Sequence, residues 1–378
     1  MVKKILFLTG TRADFGKLKS LMLKIENSDQ FEAYVFVTGM HLLKKYGFTG
    51  KEVEKCGFEN THNFFNQNRS DSMDSVLAKT ISGLSDYARE IEPDMIVIHG
   101  DRVEALAGAI VGSLNNILVS HIEGGEVSGT IDELIRHAVT KMSHLHFVSN
   151  ERAGSRLIQL GELESTIFNI GSPDLDIMVS DELPSLDKAR NRYDIPFEEY
   201  AVFMYHPVTT EIDKIREHIK ETVDALLSST YNYIVVYPNN DSGSDIIIDE
   251  LDRLNGHDRF RVFPSLRFEY FLTLLKNSQF MIGNSSAGVR EVPFYGIPSI
   301  NLGSRQNNRA TAKSIVNCPE RRDIILETIQ VIEGKTYDKH EEFGCGNSDT
   351  KFYDILSSSD IWNTSKQKLF SDISIEKE

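Results

Sequence analysis

Residues 95–125, MIVIHGDRVEALAGAIVGSLNNILVSHIEGG, contain two short apolar runs separated by a longer amphipathic stretch. The runs MIVIHG and ILVSHIE are typical of buried β-strands, whereas VEALAGAIVGSL has the length and pattern of a helix. Strands that are apolar on both faces belong to parallel sheets covered by helices on both sides. The segment therefore predicts a βαβ unit, with chemistry expected in the loops that follow its two strands.

The same alternation of strands and helices runs through the 378 residues, which are enough for two domains with separate cores. Further strands are predicted in both halves of the chain: KILFLT, AYVFVT, LHFVS, TIFNIG, AVFMYHP, YIVVYPNN, RFRVFPS, QFMIGNSS and PSINLG. A charged segment with two prolines, about 181–198, is expected to be the linker. We predict an α/β fold of two Rossmann-like doubly wound domains facing a cleft, covering 1–180 and 199–361. A C-terminal helix, about 362–378, is expected to pack back on the first domain.

Composition and charge narrow the function classes. A net charge of −15 argues against a nucleic-acid-binding surface. The three cysteines are odd in number and lack CxxC spacing, so neither a disulfide framework nor a zinc cluster is expected. The N-terminal MVKKILFLTGTR predicts a first strand and no signal peptide, and no apolar run is long enough to span a bilayer. We expect a cytoplasmic protein without a membrane or nucleic-acid partner.

Three carboxylates lie in loops that follow consecutive predicted strands: Asp101 in HGDRVEA, and Glu123 and Asp132 in HIEGGEVSGTID. Carboxylates crowded in a cleft repel one another, so at least one is expected to have a raised pKa, which suits a general acid beside a general base. Helix N-capping is the alternative role for Asp101 and Asp132. Glu123 precedes Gly-Gly and has no capping role, so a functional role is favoured there.

A second set of residues suits an anionic ligand. In GNSSAGVRE (283–291), Ser285 and Ser286 are expected at a helix start, where free N–H groups bind phosphate, and Glu291 is placed to accept from ribose hydroxyls. An ordinary serine N-cap is the alternative. The chain has no phosphate-loop GKS/GKT and no GxGxxG after a strand.

Cationic side chains in other loops could complete such a site. His206 follows an apolar strand and could donate to an anion. Arg12, Arg102 and Arg305 lie beside glycines or acids against an acidic background, and arginine binds phosphate with two parallel hydrogen bonds. Pairing of Arg102 with an acid is the competing interpretation. The loops contain no HExxH, HxH or DxD motif, so no metal or other cofactor is predicted.

From about residue 3 to about residue 310 the chain resembles the hydrolysing UDP-N-acetylglucosamine 2-epimerases of bacterial sialic acid synthesis. The resemblance is carried by TGTRADFGKL, TGMH, IHGDRVEALAGA, HIEGGEVSGTID, NIGSPDLD, HPVTTE, YPNND, MIGNSSAGVRE and NLGSRQ. That family has the two-Rossmann-domain arrangement of the GT-B glycosyltransferases. The compact GGEVSGTID loop resembles the hydrolysing branch, because the non-hydrolysing epimerases have a longer acidic loop there.

The resemblance implies a role for each matching residue. Asp101, Glu123 and Asp132 correspond to the catalytic acids, and His206 to a diphosphate contact that helps UDP leave. The implied UDP-binding residues are Arg12, Arg102, His206, Asn239, Leu266, Ser285, Ser286, Glu291 and Arg305. Gly16 departs from the animal relative, which has a serine there that touches UDP, so that contact is in doubt.

The resemblance also implies a UDP-sugar substrate, UDP as a product, and association into a homodimer or homotetramer through the first domain. Three alternatives stay open. The same reaction could act on UDP-N,N'-diacetylbacillosamine, as in legionaminic acid synthesis. A GT-B glycosyltransferase would share the nucleotide-binding half, and a nucleotide-sugar-binding protein would lack turnover.

Overall fold

The computed structural model describes residues 2–44, 47–68, 71–127, 131–181, 183–238, 243–307 and 309–372. The chain divides into two compact units. Unit 1 comprises residues 1–179 together with 343–378, and unit 2 comprises residues 180–342. Each unit is built on one sheet in which every strand pair is parallel.

Unit 1 contains a seven-stranded sheet of order β3-β2-β1-β4-β5-β6-β7, with helices in the connections. Its strands are β1 Lys3–Thr9, β2 Phe31–Val37, β3 Asn60–Asn63, β4 Met95–His99, β5 Leu118–Ile122, β6 Leu145–Val148 and β7 Ile167–Asn169. Its helices up to residue 179 are α1 Arg12–Glu26, α2 Gly50–Glu54, α3 Met73–Ile91, α4 Val103–Leu114, α5 Ile131–Met142, α6 Glu151–Gln159 and α7 Asp174–Val179.

Unit 2 repeats the pattern with a six-stranded sheet of order β10-β9-β8-β11-β12-β13. Its strands are β8 Ala201–Met204, β9 Tyr233–Val236, β10 Phe260–Phe263, β11 Met281–Gly283, β12 Ser299–Leu302 and β13 Ile315–Cys318. Its helices are α8 Leu186–Arg192, α9 Ile215–Ser228, α10 Ser244–Leu251, α11 Phe268–Lys276, α12 Glu291–Phe294 and α13 Arg322–Ile332. In both sheets the strand order reverses beside the first strand, as in Rossmann folds, which confirms the predicted fold class.

Two strands were absent from the sequence prediction. The edge strand β3 has the sequence NTHN, which offers no apolar alternation, and it exists because its backbone pairs with β2 from Tyr34 to Val37. At the edge of the other sheet, β13 has the short sequence IVNC and pairs with β12. Neither strand changes the fold class, because both only extend a sheet edge.

The chain returns to unit 1 after residue 342, which differs from the expected boundary at 361. The returning segment forms α14, Ser348–Ser357, which packs on α1 and inserts Phe352 and Leu356 into the core of unit 1. The rings of Phe352 and Phe147 meet edge to face, 4.8 Å apart. Burying a phenylalanine contributes about 2–3 kcal/mol, so the segment completes this core. The expected linker also differs, since it contains α8 and belongs to unit 2.

The predicted C-terminal helix is wrong over the residues that the structure describes. A 3₁₀ turn occupies Ser359–Asn363, and residues 364–372 contain no helix. Backbone groups of this segment bond to unit 1 instead: the Lys366 carbonyl accepts from His144 Nε2 at 3.1 Å, and the Ser371 amide donates to the Gly161 carbonyl at 2.9 Å. These partners replace the i to i−4 bonds of a helix. Across the described ranges, no helix combines the length and apolar character that crossing a membrane requires.

Candidate active site

Glu123 immediately follows β5 and has an unusual backbone conformation. Its φ of 60° lies in the left-handed region, which costs a residue other than glycine about 1–3 kcal/mol. Its amide still donates to the Phe147 carbonyl at 2.8 Å, so the sheet holds this conformation in place. Gly125 also has a positive φ, 77°, and a Cβ there would lie 2.3 Å from the Ala153 carbonyl oxygen. Gly125 is thus required by the turn that presents Glu123.

The Glu123 carboxylate is buried, and polar partners reach it from three other parts of the chain. His99 at the end of β4 places Nε2 3.1 Å from Oε2, and Lys17 on α1 places Nζ 3.3 Å from Oε1. Ser172 also donates its hydroxyl to Oε1. Lys17 in turn contacts Asp174 at the start of α7. This Glu123 cluster (Lys17, His99, Glu123, Ser172 and Asp174) gathers a lysine, a histidine and two carboxylates at the carboxyl edge of the sheet.

Asp101 lies next to this cluster because β4 and β5 pair in register up to His99 and Ile122. Its carboxylate contacts the buried guanidinium of Arg136 on α5. That guanidinium keeps Nε and Nη1 without a hydrogen-bond partner among the residues that the structure describes. Arg102, predicted to bind UDP with pairing to an acid as the competing interpretation, is the residue before α4 and contacts Met40 Sδ at 3.7 Å.

The loop that carries Asp101 is held by a hydrogen bond from His121 on β5. Burial lowers the pKa of His121 well below its usual value, so the ring is neutral. Its Nε2 donates to the Gly100 carbonyl at 2.8 Å, and the Thr140 hydroxyl bonds to its Nδ1 at 3.3 Å. His121 therefore orients the backbone immediately before Asp101.

Asp132 lies in the first turn of α5, four residues before Arg136. Residues four apart share a helix face, so Asp132 is on the face of α5 that carries the contact to Asp101. Helix capping by Asp101 is not observed, because Arg102 precedes α4 and no side chain caps that helix. Asp101 and Glu123 thus belong to the loops after the neighbouring strands β4 and β5, and Asp132 to the first turn of the helix after β5.

Arg12 opens α1 and forms a two-point ion pair with Glu52 on α2, with Nε 3.1 Å from Oε2. The loop before it is rigid, since Asp14 accepts from the amides of Gly10 and Thr11 and completes a capping box with Thr11. The arginine is about one-third exposed. A phosphate ligand at Arg12 would compete with Glu52 for the guanidinium.

In unit 2, His206 lies two residues after β8 and is partly buried. Its backbone amide donates to Asn284 Oδ1 at 2.6 Å, and its carbonyl accepts from Asn284 Nδ2 at 2.9 Å. Arg305, after β12, donates from Nη1 to the Asn284 carbonyl at 3.1 Å. Two predicted ligand contacts from different strands are therefore joined through one asparagine.

The helix expected after β11 is divided into short pieces. Ser285 caps a 3₁₀ turn, Ser286–Gly288, and α12 begins only at Glu291 and has four residues. A macrodipole needs a longer helix, so a phosphate here would depend on the loop N–H and hydroxyl groups. Glu291 is buried. Leu266 is also buried, in the loop after β10, and Asn239 lies outside the described residues.

Several site residues were missed in the sequence. Lys17 and Ser172 reach Glu123 from 106 and 49 residues away along the chain, and Asp174 lies 157 residues from Lys17, which it contacts. The motifs TGTRADFGKL and NIGSPDLD contained them, yet nothing local identifies their partner. Within the described ranges, no group of three His, Cys, Asp or Glu side chains is arranged to hold a metal ion.

Comparisons with known proteins agree with this architecture. Residues 23–357 match the family model described as UDP-N-acetylglucosamine 2-epimerase. A UDP-N-acetylglucosamine 2-epimerase of Neisseria meningitidis serogroup B is 48% identical over 99% of this chain and 100% of its own length. The UDP-N,N'-diacetylbacillosamine 2-epimerase (hydrolyzing) of Legionella pneumophila is 34% identical over 94% of this chain and 96% of its length.

A solved structure shows the same fold. It is the UDP-GlcNAc 2-epimerase from Neisseria meningitidis bound to UDP-GlcNAc, with a TM-score of 0.80, 18% identity, and coverage of 93% of this chain and 99% of that one. At that identity the likeness concerns the fold. The family match spans most of the chain and the two sequence relatives cover nearly all of it. The chain is an enzyme of the UDP-N-acetylglucosamine 2-epimerase family.

Proposed function

We propose that the chain hydrolyses and epimerises UDP-N-acetylglucosamine, converting UDP-GlcNAc and water to N-acetylmannosamine and UDP, the first step of sialic acid synthesis. The observation that carries the proposal is the Glu123 cluster, a carboxylate held in a left-handed turn between a histidine and a lysine. The name of the relative that is 48% identical supports the sugar. The name of the Legionella relative, together with the compact GGEVSGTID loop, supports the hydrolysing course.

The chemistry explains why protein carboxylates are needed beside the sugar ring. The C2 proton is not beside a carbonyl, so a carboxylate cannot simply remove it. When the C1–O bond breaks, its electron pair leaves with UDP, and the positive charge developing on the ring acidifies C2–H. One carboxylate then takes that proton, C1=C2 forms, and the intermediate is a 2-acetamidoglucal.

Hydration of the glycal completes the reaction. Water adds its oxygen to C1 and gives up one proton to a carboxylate, while an acid delivers a proton to C2. That proton arrives on the face opposite the one from which the first was removed, which inverts C2 and releases the free sugar. Inversion requires proton-transfer groups on both faces of the ring. We assign these roles to Asp101 and Glu123, which follow the neighbouring strands β4 and β5, and to Asp132 in the first turn of α5.

The departing UDP needs compensation of its negative charge. We assign this role to His206, Arg305, Arg12 and Arg102, with Ser285, Ser286, Asn239, Glu291 and the backbone near Leu266 holding the rest of the nucleotide. Preorganised donors aimed at charge that develops in the transition state are usually the largest catalytic contribution. No metal or other cofactor takes part in the proposed reaction.

The test is NMR of the protein with UDP-N-acetylglucosamine in deuterium oxide. N-acetylmannosamine carrying deuterium at C2, together with free UDP, is the expected result. A product that retains its original C2 hydrogen would eliminate the glycal route. Release of UDP only in the presence of an acceptor, with C2 unchanged, would instead establish a glycosyltransferase, and binding without product would establish a non-catalytic protein.

The second candidate substrate is UDP-N,N'-diacetylbacillosamine. It is favoured by the Legionella relative, whose name specifies that sugar. Parallel kinetics on both UDP-sugars decide between them, because the higher kcat/KM identifies the sugar that the pocket accepts.

The proposal also includes the setting of the enzyme. We expect a cytoplasmic location because the enzyme needs UDP-sugars. We expect a homodimer or homotetramer because members of the family generally associate through the first domain. Light scattering on the purified protein measures the oligomer, and a monomer at working concentration would contradict that part of the proposal alone.

A further inference from the structure

Asn284 follows β11 and has every one of its polar groups occupied. Its backbone amide donates to the Met204 carbonyl at 3.1 Å. Its backbone carbonyl accepts from Arg305 at 3.1 Å and from Gln306 Nε2 at 2.9 Å. Its side chain bonds to both the amide and the carbonyl of His206. The residue is fully buried. A buried amide with this complete set of partners has a single orientation.

The side chain of Asn284 extends the pairing between β8 and β11. The backbone ladder between these strands ends where Gly283 pairs with Met204. Beyond that point the chain turns, and the amide group of Asn284 offers His206 the acceptor and the donor that a further strand residue would supply. The approach is close, since Gly283 has φ 139° and a Cβ there would lie 1.8 Å from the Met204 oxygen.

We infer that Asn284 is a positioning residue that acts through His206, fixing the backbone from which His206 meets the diphosphate. The inference deepens the proposed function and rests on the role assigned there to His206. Asparagine suits the task because it matches one N–H and one C=O at once. An apolar side chain leaves both of these part-buried backbone groups without the partner that Asn284 supplies.

Substitution at Asn284 separates the two sides of this arrangement. Arg305 and Gln306 bond to the backbone carbonyl, which every amino acid retains. Asn284→Ala therefore removes the two bonds to His206 and keeps the anchor of Arg305. Its effect reports on His206 alone.

The experiment is a double-mutant cycle on kcat/KM with Asn284→Ala, His206→Ala and the double variant. We expect Asn284→Ala to lower kcat/KM about 10-fold in the wild-type background, because a small misplacement of a catalytic group is costly. In the His206→Ala background the same change should cost less than about 2-fold. Inhibition by UDP should weaken with Asn284→Ala, whereas inhibition by uridine should not.

Asn301→Ala is the matched control. Asn301 is a buried asparagine of the same sheet that donates to Asn317 at 2.8 Å, so its loss removes a comparable bond without touching His206. The control should leave kcat/KM and the UDP-to-uridine ratio unchanged. If Asn284→Ala does not fold, the isosteric Asn284→Asp, which keeps an acceptor for the His206 amide, takes its place in the cycle.

The inference would be overturned if the fold-losses in kcat/KM of the two single variants multiplied in the double variant. It would also be overturned if Asn284→Ala weakened inhibition by UDP and inhibition by uridine equally, and Asn284 would then be a purely structural residue. A His206→Ala variant with wild-type kcat/KM would overturn the inference as well. The deuterium experiment is independent of the cycle, so failure of the proposed reaction and failure of this inference give different results.

Discussion

Unit 1 contains two buried glutamates with similar partners and different positions in the sheet. Glu123 is bonded by His99 and Lys17, and Glu162 by His146 at 3.0 Å and Lys141 at 2.8 Å. Glu162 precedes β7 and meets the second residue of β6, so it lies at the amino edge of the sheet. Glu123 follows β5, at the carboxyl edge where parallel α/β sheets bind ligands.

The surroundings of the two carboxylates differ in ways that match these positions. Of the two histidine partners, His99 keeps 12% of its side-chain surface exposed, whereas His146 is fully buried. Lys368 from the C-terminal segment also contacts Glu162 and donates to the Thr140 carbonyl at the end of α5. The same residue types therefore surround the proposed catalytic glutamate at one edge and attach the C-terminal segment to unit 1 at the other.

The comparison predicts its largest effect for the carboxyl edge. Glu123→Gln and Asp101→Asn should each lower kcat by about 10²-fold or more, the usual contribution of a general acid or base. The measurement is steady-state UDP release, with circular dichroism to verify folding. Glu162→Gln is the control and should keep kcat within about 3-fold wherever it stays folded. Near wild-type turnover in both carboxyl-edge variants would remove these acids from the mechanism.

The amino edge should instead affect stability. Burial opposes ionisation of Glu162, but its hydrogen bonds to His146, Lys141 and Lys368 outweigh burial and lower its pKa from 4.5 to about 2. A lowered carboxyl pKa stabilises the folded state above pH 4.5, and that stabilisation is lost as the pH falls towards 2. Glu162→Gln should therefore cost about 3 kcal/mol at pH 7.

Urea denaturation of wild type and Glu162→Gln measures this difference as a function of pH. The difference in free energy of unfolding between the two proteins should narrow by about 1 kcal/mol between pH 7 and pH 4. Glu164→Gln, at an exposed position two residues away, should show almost no gap at any pH. A gap that stays constant or widens on acidification would contradict the role given to Glu162.

A smaller effect is expected at the turn that presents Glu123. Gly125→Ala forces a Cβ into a left-handed position and against the Ala153 carbonyl oxygen, so it should cost about 2 kcal/mol and also lower kcat. Gly57→Ala is the matched control, because Gly57 has nearly the same φ, 76°, and nothing within 4 Å of a Cβ. It should cost only about 1 kcal/mol and leave kcat unchanged. Equal losses of stability in the two variants would show that the contact with Ala153 is unimportant.

The sequence carried enough information for the fold because its signals were periodic. The helix α4 was predicted with its observed bounds, and every predicted strand exists in the structure. The errors fall where tertiary contacts override local pattern. The strand β3 depends on its neighbour, and residues 364–372 bond to unit 1 in place of forming a helix.

The candidate site was predictable only in part. Loops after strands pointed to Asp101, Glu123 and Asp132, since position along a parallel sheet is readable from the sequence. The partners of those acids could not be predicted from the sequence. Lys17 on α1 and Arg136 on α5 are distant from them along the chain and come close only in the folded structure. Asn284 was hidden for the same reason, as its role depends on a neighbouring strand 78 residues earlier.

The return of the chain to unit 1 has a consequence for biosynthesis. Phe352 and Leu356 belong to the same core as Phe7 and Leu21, yet the ribosome makes them only after all of unit 2. At ribosomal elongation rates of about 5–20 residues per second, roughly 10–30 s separate the last residue of the first segment from α14. During that interval the core of unit 1 lacks Phe352 and Leu356, whereas all of unit 2 comes from one continuous segment of the chain.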